Sequence, residues 1–242
     1  MTGIIIVLIL TVALMHEVVL PHRSKLASVD RIRRFTAAHK LLVLTYDDGP
    51  DSIITQQLLD LMHEYKVHAT FFSLWSRACK NPELLDQIQA DEHEIGSHSE
   101  HHLNAWKTMP WKSTHDLQQG HAQLKQWLSP SNLFRPPYGK LLAPGARTMQ
   151  KYKATPCWWT IDSGDTEKTL GDPAQVVQRV RSEHGGVVLM HDFDRSHRDD
   201  AEQRRNYVLH MTRDLIELAR KEDLTICTYG ELLDRMKQNI KR

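Results

Sequence analysis

The stretch Leu41-Leu42-Val43-Leu44-Thr45-Tyr46-Asp47-Asp48-Gly49-Pro50 is a short water-avoiding run that breaks into a turn. Its first six residues are aliphatic, β-branched or aromatic, as in a buried strand, and Asp-Asp-Gly-Pro is a turn signal. Behind it Ile54, Leu58, Leu61, Met62 and Tyr65 recur at the spacing of one helical stripe. That strand–turn–helix unit repeats. Further strands are predicted over 69–74, 94–97, 133–135, 157–161, 187–190 and 224–228. Helical stripes lie between and after them: Leu84, Leu85 and Ile88 behind Pro82; Leu117, His121, Leu124 and Leu128; Val176, Val177 and Val180 behind Pro173; then 209–218, and Leu232, Leu233, Met236 and Ile240. Seven strands alternating with helices predict an α/β fold with a parallel sheet. Roughly 200 residues for seven units suits a distorted TIM-like (β/α)7 barrel, one unit short of the full eight. In such a fold, reactive side chains belong at the C-terminal ends of the strands.

Outside that pattern the chain divides simply. Residues 41–242 form one catalytic-sized domain, with no repeat and no low-complexity tract. The 40% hydrophobic content excludes wholesale disorder. With 31 basic and 30 acidic residues the net charge is +1, which gives no excess to neutralise a phosphate backbone, so a nucleic-acid partner is not expected. Cys79, Cys157 and Cys227 are too few and too scattered for a disulfide framework or a cysteine metal site. Residues 3–15 read GIIIVLILTVALM, a short N-terminal hydrophobic helix. Residues 1–20 are expected to anchor the protein in a membrane, with 21–40 as a basic linker. Residues 1–15 carry no Lys or Arg, while Arg23, Lys25, Arg31, Arg33 and Arg34 follow, a bias that holds the domain on the cytoplasmic side. The alternative is an atypical export signal that delivers the domain to the periplasm or cell surface. No oligomeric state is legible.

Five clusters fall at predicted strand ends. Asp47 and Asp48 follow the first strand, where Asp-Gly-Pro could equally be only a turn. Gly96-Ser97-His98-Ser99-Glu100-His101-His102 follows the third. If His98 begins a helical turn, His102 shares its face, and two imidazoles can converge on one metal. In a chain with 15 histidines, the same spacing also arises by chance. A carboxylate from another strand end would complete a three-ligand site with an open position. Arg135-Pro136-Pro137-Tyr138-Gly139 is a loop stiffened by two prolines, able to hold a backbone N–H at a reacting oxygen. Asp162 and Asp165 follow the fifth strand, and His191 closes the apolar sixth, with Asp162 as its expected partner.

This set resembles the polysaccharide deacetylases (carbohydrate esterase family 4, the nodulation-type deacetylase homology domain). Thr45 to Pro50 looks like the family's Thr-Phe-Asp-Asp-Gly-Pro, and His98 to His102 like its His-Ser/Thr-x-x-His. Arg135, Pro137 and Tyr138 match Arg-x-Pro-Tyr; Asp162 and Asp165 match Asp-x-x-Asp-Trp; Leu189 and His191 match Leu-x-His, all in family order. The resemblance implies a metal-dependent hydrolase that removes N-acetyl groups from an amino-sugar polysaccharide or oligosaccharide. It implies Asp48, His98 and His102 as ligands to a divalent metal, zinc by default, with cobalt, nickel or iron as other occupants. Asp47 would be the general base, tethered and kept ionised by Arg135; His191 the general acid, oriented by Asp162. The backbone N–H of Tyr138 would hold the oxyanion, and Leu189 would wall the acetyl pocket. Thr166 stands where the family has Trp, so the substrate wall differs here, and Tyr46 replaces Phe. Other readings are removal of acetyl or formyl groups from a lipid- or nucleotide-linked amino sugar, ester hydrolysis, and a carbohydrate-binding pseudoenzyme.

Overall fold

The computed structural model describes residues 15–240 apart from 194 and 197. All but the last residue of the apolar tract, and with it nearly all of the expected N-terminal hydrophobic helix, lies outside the described residues. Among the described residues, no helix is long and apolar enough to cross a membrane.

Among the described residues, eight short strands form one curled parallel sheet: β1 (Leu41–Asp47), β2 (Thr70–Ser73), β3 (Glu94–Ser97), β4 (Leu133–Phe134), β5 (Thr155–Pro156), β6 (Ile161–Asp162), β7 (Gly186–His191) and β8 (Thr225–Ile226). Their order is β5-β4-β3-β2-β1-β7-β6, with β8 lying beside the start of β1. This is the α/β, distorted (β/α)7-type architecture that the alternation predicts. All seven residues of β1 are buried, as a parallel strand covered on both faces requires. Because side chains alternate along a strand, Leu42, Leu44 and Tyr46 join the outer layer, with Leu58, Met62, Met211 and Leu215 from the flanking helices. Leu41 and Val43 face the interior, with Phe72, Leu133, Val187, Tyr229 and Leu232. Asp47 continues the inner set into the mouth of the barrel. Its register partner on β7 is His191.

Two expectations are corrected. Residues 157–161 are not one strand: β5 ends at Pro156, β6 begins at Ile161, and these strands lie on opposite edges of the sheet. The intervening backbone crosses the seam of the barrel: the Cys157 N–H donates to the Phe134 carbonyl at 2.8 Å and the Thr160 N–H to the Val187 carbonyl at 3.0 Å, and side chains serve other groups between them. The Trp158 N–H donates to the Tyr229 hydroxyl at 2.8 Å, which donates in turn to the Trp158 carbonyl at 3.1 Å. Arg179 donates to the Thr160 carbonyl at 3.2 Å. Residues 21–40 are likewise not a linker, because Leu20–His39 is a continuous helix. It buries Ile32 and Thr36 and packs Val29 and Phe35 on the inner cluster. Two of its basic side chains have partners within the domain: Lys25 on the Gly139 carbonyl at 2.8 Å, and Arg33 on Glu183 at 3.3 Å.

Tyr229→Phe removes the hydroxyl that satisfies both polar groups of Trp158 and leaves a buried N–H without a partner. A loss of about 2 kcal/mol is expected, read as a lower urea midpoint at unchanged slope. An unshifted midpoint would show that the seam does not depend on this hydroxyl.

Candidate active site

The end of β1 supplies two adjacent carboxylates with different surroundings. Asp47 is buried, and its Oδ1 accepts from Arg135 Nη1 at 2.6 Å. The same Nη1 donates to Thr45 Oγ1 at 2.9 Å, and the guanidinium, wholly inaccessible to solvent, lies 4.1 Å over the Phe72 ring. Asp48 follows with φ 75°, in the left-handed region, and both carboxylates approach His98, with Asp47 Oδ2 at 3.6 Å from its Nε2. Asp48 Oδ1 lies 3.4 Å from His98 Nε2 and 3.4 Å from His102 Nε2. One ligand atom from each of these three residues lies within 4.8 Å of the others. Asp48 Oδ1 is buried and makes no hydrogen bond among the described residues. An uncompensated carboxylate oxygen facing two imidazole nitrogens is the arrangement a cation would satisfy.

The protonation of the histidines fits that use. His98 Nδ1 lies 2.8 Å from the Arg135 carbonyl, which can only accept. The proton therefore sits on Nδ1, and the Nε2 lone pair is left facing Asp48. Burial, reinforced by the neighbouring His102, pushes His98 down to about 3, and burial also lowers His102. Both rings are neutral at pH 7, as metal ligands must be.

His98 and His102 converge by a different route from the helical turn considered above. Ser99 has φ 81° and His102 φ 60°, so the segment is a loop, yet the two rings lie with centroids 4.9 Å apart. Asp116 holds that loop. It is buried on the helix Pro110–Gln123 and accepts from the N–H groups of His101 at 2.7 Å and Leu103 at 3.1 Å. One turn further along, Gly120 permits the approach, since a Cβ there would stand 2.1 Å from the Ser99 carbonyl carbon. The sequence reading missed Asp116; a buried-face Asp one turn before a glycine was its only trace.

Opposite the cluster, His191 Nδ1 lies 2.8 Å from Asp165 Oδ1, and the His191 N–H donates to Asp165 Oδ2 at 3.1 Å. Asp165, not Asp162, is therefore the partner of His191. Asp162 is exposed, and its carboxylate accepts from the Gly164 N–H in a local turn at 2.9 Å. Burial opposes charge on His191, but Asp165 outweighs it and lifts the imidazole to about 9. Burial likewise opposes charge on Asp165, yet His191 and Arg195 bring it down to about 2. Asp47 behaves otherwise than the pairing with Arg135 suggests: burial raises it, and the guanidinium only partly offsets the rise.

Asp192 directly follows β7. It is buried, takes the Gly49 N–H at 3.1 Å and the Thr55 hydroxyl at 2.7 Å, and so braces the Asp-Asp-Gly-Pro turn. Leu189 is buried on β7 beside Asp162. Tyr138 lies in the turn Pro137–Gly139 with φ 56°; its ring is 54% exposed and 4.4 Å from that of His102. The Tyr46 hydroxyl meets Thr212 Oγ1 at 2.8 Å. Thr166 is exposed.

Comparison with known proteins gives a consistent picture. Residues 35–157 match the family model described as polysaccharide deacetylase. The chain is 32% identical over 155 residues to a peptidoglycan-N-acetylglucosamine deacetylase of Bacillus cereus, covering 63% of this chain and 73% of that one. It is 29% identical over 154 residues to a chitooligosaccharide deacetylase of Bradyrhizobium, covering 62% and 69%. It spans only 35% of a longer peptidoglycan-N-acetylmuramic acid deacetylase of Bacillus subtilis. Among solved structures, a peptidoglycan deacetylase from Bacillus subtilis superposes with TM-score 0.68 at 26% identity, over 84% of this chain and 94% of that one.

Two outcomes test this geometry. Asp116→Ala frees the loop behind His102, and zinc affinity measured calorimetrically falls about 10- to 100-fold while the fold is retained; undiminished affinity would leave Asp116 without that part. In the metal-free protein, the NMR titration of His191 has its midpoint near 9. Because that value is raised from 6.5, the stability it contributes is complete below about pH 6.5 and is lost as pH rises through about 9. A midpoint below 7 would contradict the His191–Asp165 pairing.

Proposed function

The chain belongs to the polysaccharide deacetylase family, and from that premise we propose that it hydrolyses N-acetyl groups from amino sugars in a glycan or glycan precursor. The observation that carries this reading is the buried, unpartnered Asp48 Oδ1 held 3.4 Å from two neutral imidazoles. Two nitrogen donors and one carboxylate suit zinc, with cobalt, nickel or iron as substitutes. A divalent ion held by Asp48, His98 and His102 would polarise the acetamide carbonyl and lower the pKa of the attacking water.

The side chains then divide the proton transfers. Asp47, anchored through Oδ1 by Arg135, takes the proton of the attacking water with its other oxygen. Burial raises the basicity of Asp47, which favours this step. The backbone N–H of Tyr138 supports the developing oxyanion, and Leu189 walls the methyl group. His191 donates the proton that lets the amine leave. With its Nδ1 proton held by Asp165, Nε2 is the atom that faces the substrate. The orienting role assigned to Asp162 therefore passes to Asp165. Water and amide become acetate and amine, one proton entering at Asp47 and one leaving at His191.

An amino-sugar substrate is supported by the relatives' names, which specify peptidoglycan and chitooligosaccharide. The exposed rings of Tyr138 and Trp106 support it too, since aromatic faces beside a polar site suit sugar rings. For the N-terminal tract we retain a membrane anchor ahead of the domain 41–242, with that domain on the cytoplasmic side, on the strength of the basic residues after position 20. A C-terminal reporter fusion active only outside the cytoplasm would reverse that side and select wall glycan over lipid- or nucleotide-linked precursors.

Acetate release from chito-oligosaccharides, peptidoglycan fragments and lipid-linked sugars tests the activity. Chelation abolishes it and added zinc restores it. Asp47→Asn and His191→Ala each lower kcat by about 10²- to 10⁴-fold. Glycan binding without acetate release from any substrate would make the chain a binding protein instead.

A further inference from the structure

The helix Leu20–His39 begins before the segment that matches the family model, and one of its side chains reaches the site. Lys25 is half-buried, and its Nζ donates to the Gly139 carbonyl at 2.8 Å across 114 residues of sequence. The ammonium lies 5.2 Å from the centroid of the Trp158 ring and 5.0 Å from that of Trp159. A carbonyl and two π faces are what a partly desolvated ammonium requires.

What Lys25 holds is a turn with left-handed residues in it. Pro136 and Pro137 have fixed φ, but Tyr138 follows at φ 56° and Gly139 at φ 61°. A non-glycine residue in that region costs about 1 kcal/mol or more and persists only where its surroundings over-determine it. Two backbone bonds close the turn, Gly139 N–H to the Pro136 carbonyl at 2.9 Å and Lys140 N–H to the Pro137 carbonyl at 3.0 Å. The Gly139–Lys140 peptide, whose N–H makes the second of these bonds, is braced from outside by Lys25 on its carbonyl. The fit leaves no slack: a Cβ on Gly139 would stand 2.5 Å from Lys25 Nζ and 2.7 Å from the Trp159 ring. Further along the same helix, Arg33 donates to the Thr160 carbonyl at 3.4 Å and pairs with Glu183 at 3.3 Å, so the helix straps the seam and the turn together.

We propose that Lys25 is a positioning residue for the reaction, clamping the Pro136–Gly139 turn from the N-terminal helix so that the Tyr138 N–H stays aimed at the oxyanion. This rests on the reading of Tyr138 as an oxyanion donor, and it makes the N-terminal helix part of the catalytic apparatus.

The test compares the full chain with Lys25→Met and Lys25→Arg. In Lys25→Met, kcat for acetate release falls about tenfold or more, while KM, zinc content and the thermal midpoint stay close to those of the parent. Lys25→Arg keeps a cationic donor between the same rings and recovers most of the loss. Amide exchange by mass spectrometry accelerates in the peptide spanning 135–140 in Lys25→Met and not elsewhere in the barrel. Unchanged kcat with unchanged exchange at 135–140 overturns the proposal. So does a fall in kcat that only follows a fall in thermal midpoint, because Lys25 would then merely dock the helix. If the parent chain released no acetate, the function proposed above would fall, and exchange at 135–140 would still decide whether Lys25 clamps the turn.

Discussion

A guanidinium sealed from solvent organises this molecule. Arg135 cannot shed its charge, so burial obliges the fold to bring it a carboxylate and acceptors. Asp47 and Thr45 come from β1, the Phe72 face from β2, and the Cys157 carbonyl from the seam, with Nε at 3.4 Å. The Arg135 carbonyl, in turn, fixes the tautomer of His98 at the end of β3. One residue thereby ties four neighbouring parts of the barrel mouth and orients both the nearby carboxylate and an imidazole of the candidate metal cluster. Taking away one partner of such a buried pair typically costs about 3–5 kcal/mol, since the other charge is left stranded. The strand ends are arranged around that obligation.

The electrostatics of the mouth follow from the same burial acting on unlike neighbours. His98 and His102 lie near the carboxylates of Asp48 and Asp47, yet burial outweighs that attraction and both stay neutral. His191 is partly buried, but a fully buried Asp165 lies against it, and attraction wins. A single dielectric setting thus yields rings suited to donate lone pairs on one side and a ring suited to donate a proton on the other. Arg195, on Asp165 Oδ2 at 2.9 Å, moderates that second environment.

Much of this was legible because a parallel α/β sheet delivers strand ends to one place. Asp47, Asp48, His98, Arg135 and His191 all end or follow strands whose apolar runs are plain in the sequence, and they meet in the mouth. What was not legible depended on contacts made at long range. Asp162 and Asp165 are alike in type and three residues apart, and only the burial of Asp165 against Arg195 and Arg204 separates them. The run 157–161 has every local mark of a strand, yet its ends bond to different strands, Cys157 to β4 and Thr160 to β7, on opposite sides of the sheet. Residues 21–40 look like a basic linker because their charges dominate the composition, while Ile32 and Thr36 form too sparse a stripe to announce a packed helix. The loop at His98–His102 takes its shape from Asp116 and Gly120, which no nearby residue foretells.

The register of β1 against β7 has a consequence of its own. Asp47 and His191 are lattice neighbours, and the Asp192 N–H is bonded to the Asp47 carbonyl at 3.1 Å, so their backbones sit one interstrand step apart. The separation of the two backbones that carry the proposed base and acid is dictated by peptide hydrogen bonding, and Arg135 and Asp165 then orient the side chains across it. Loops around the rim, where Thr166 and Trp106 already set this chain's own surface, can therefore drift in sequence and shape under selection for new sugars. The spacing on which the chemistry turns is shielded from that drift.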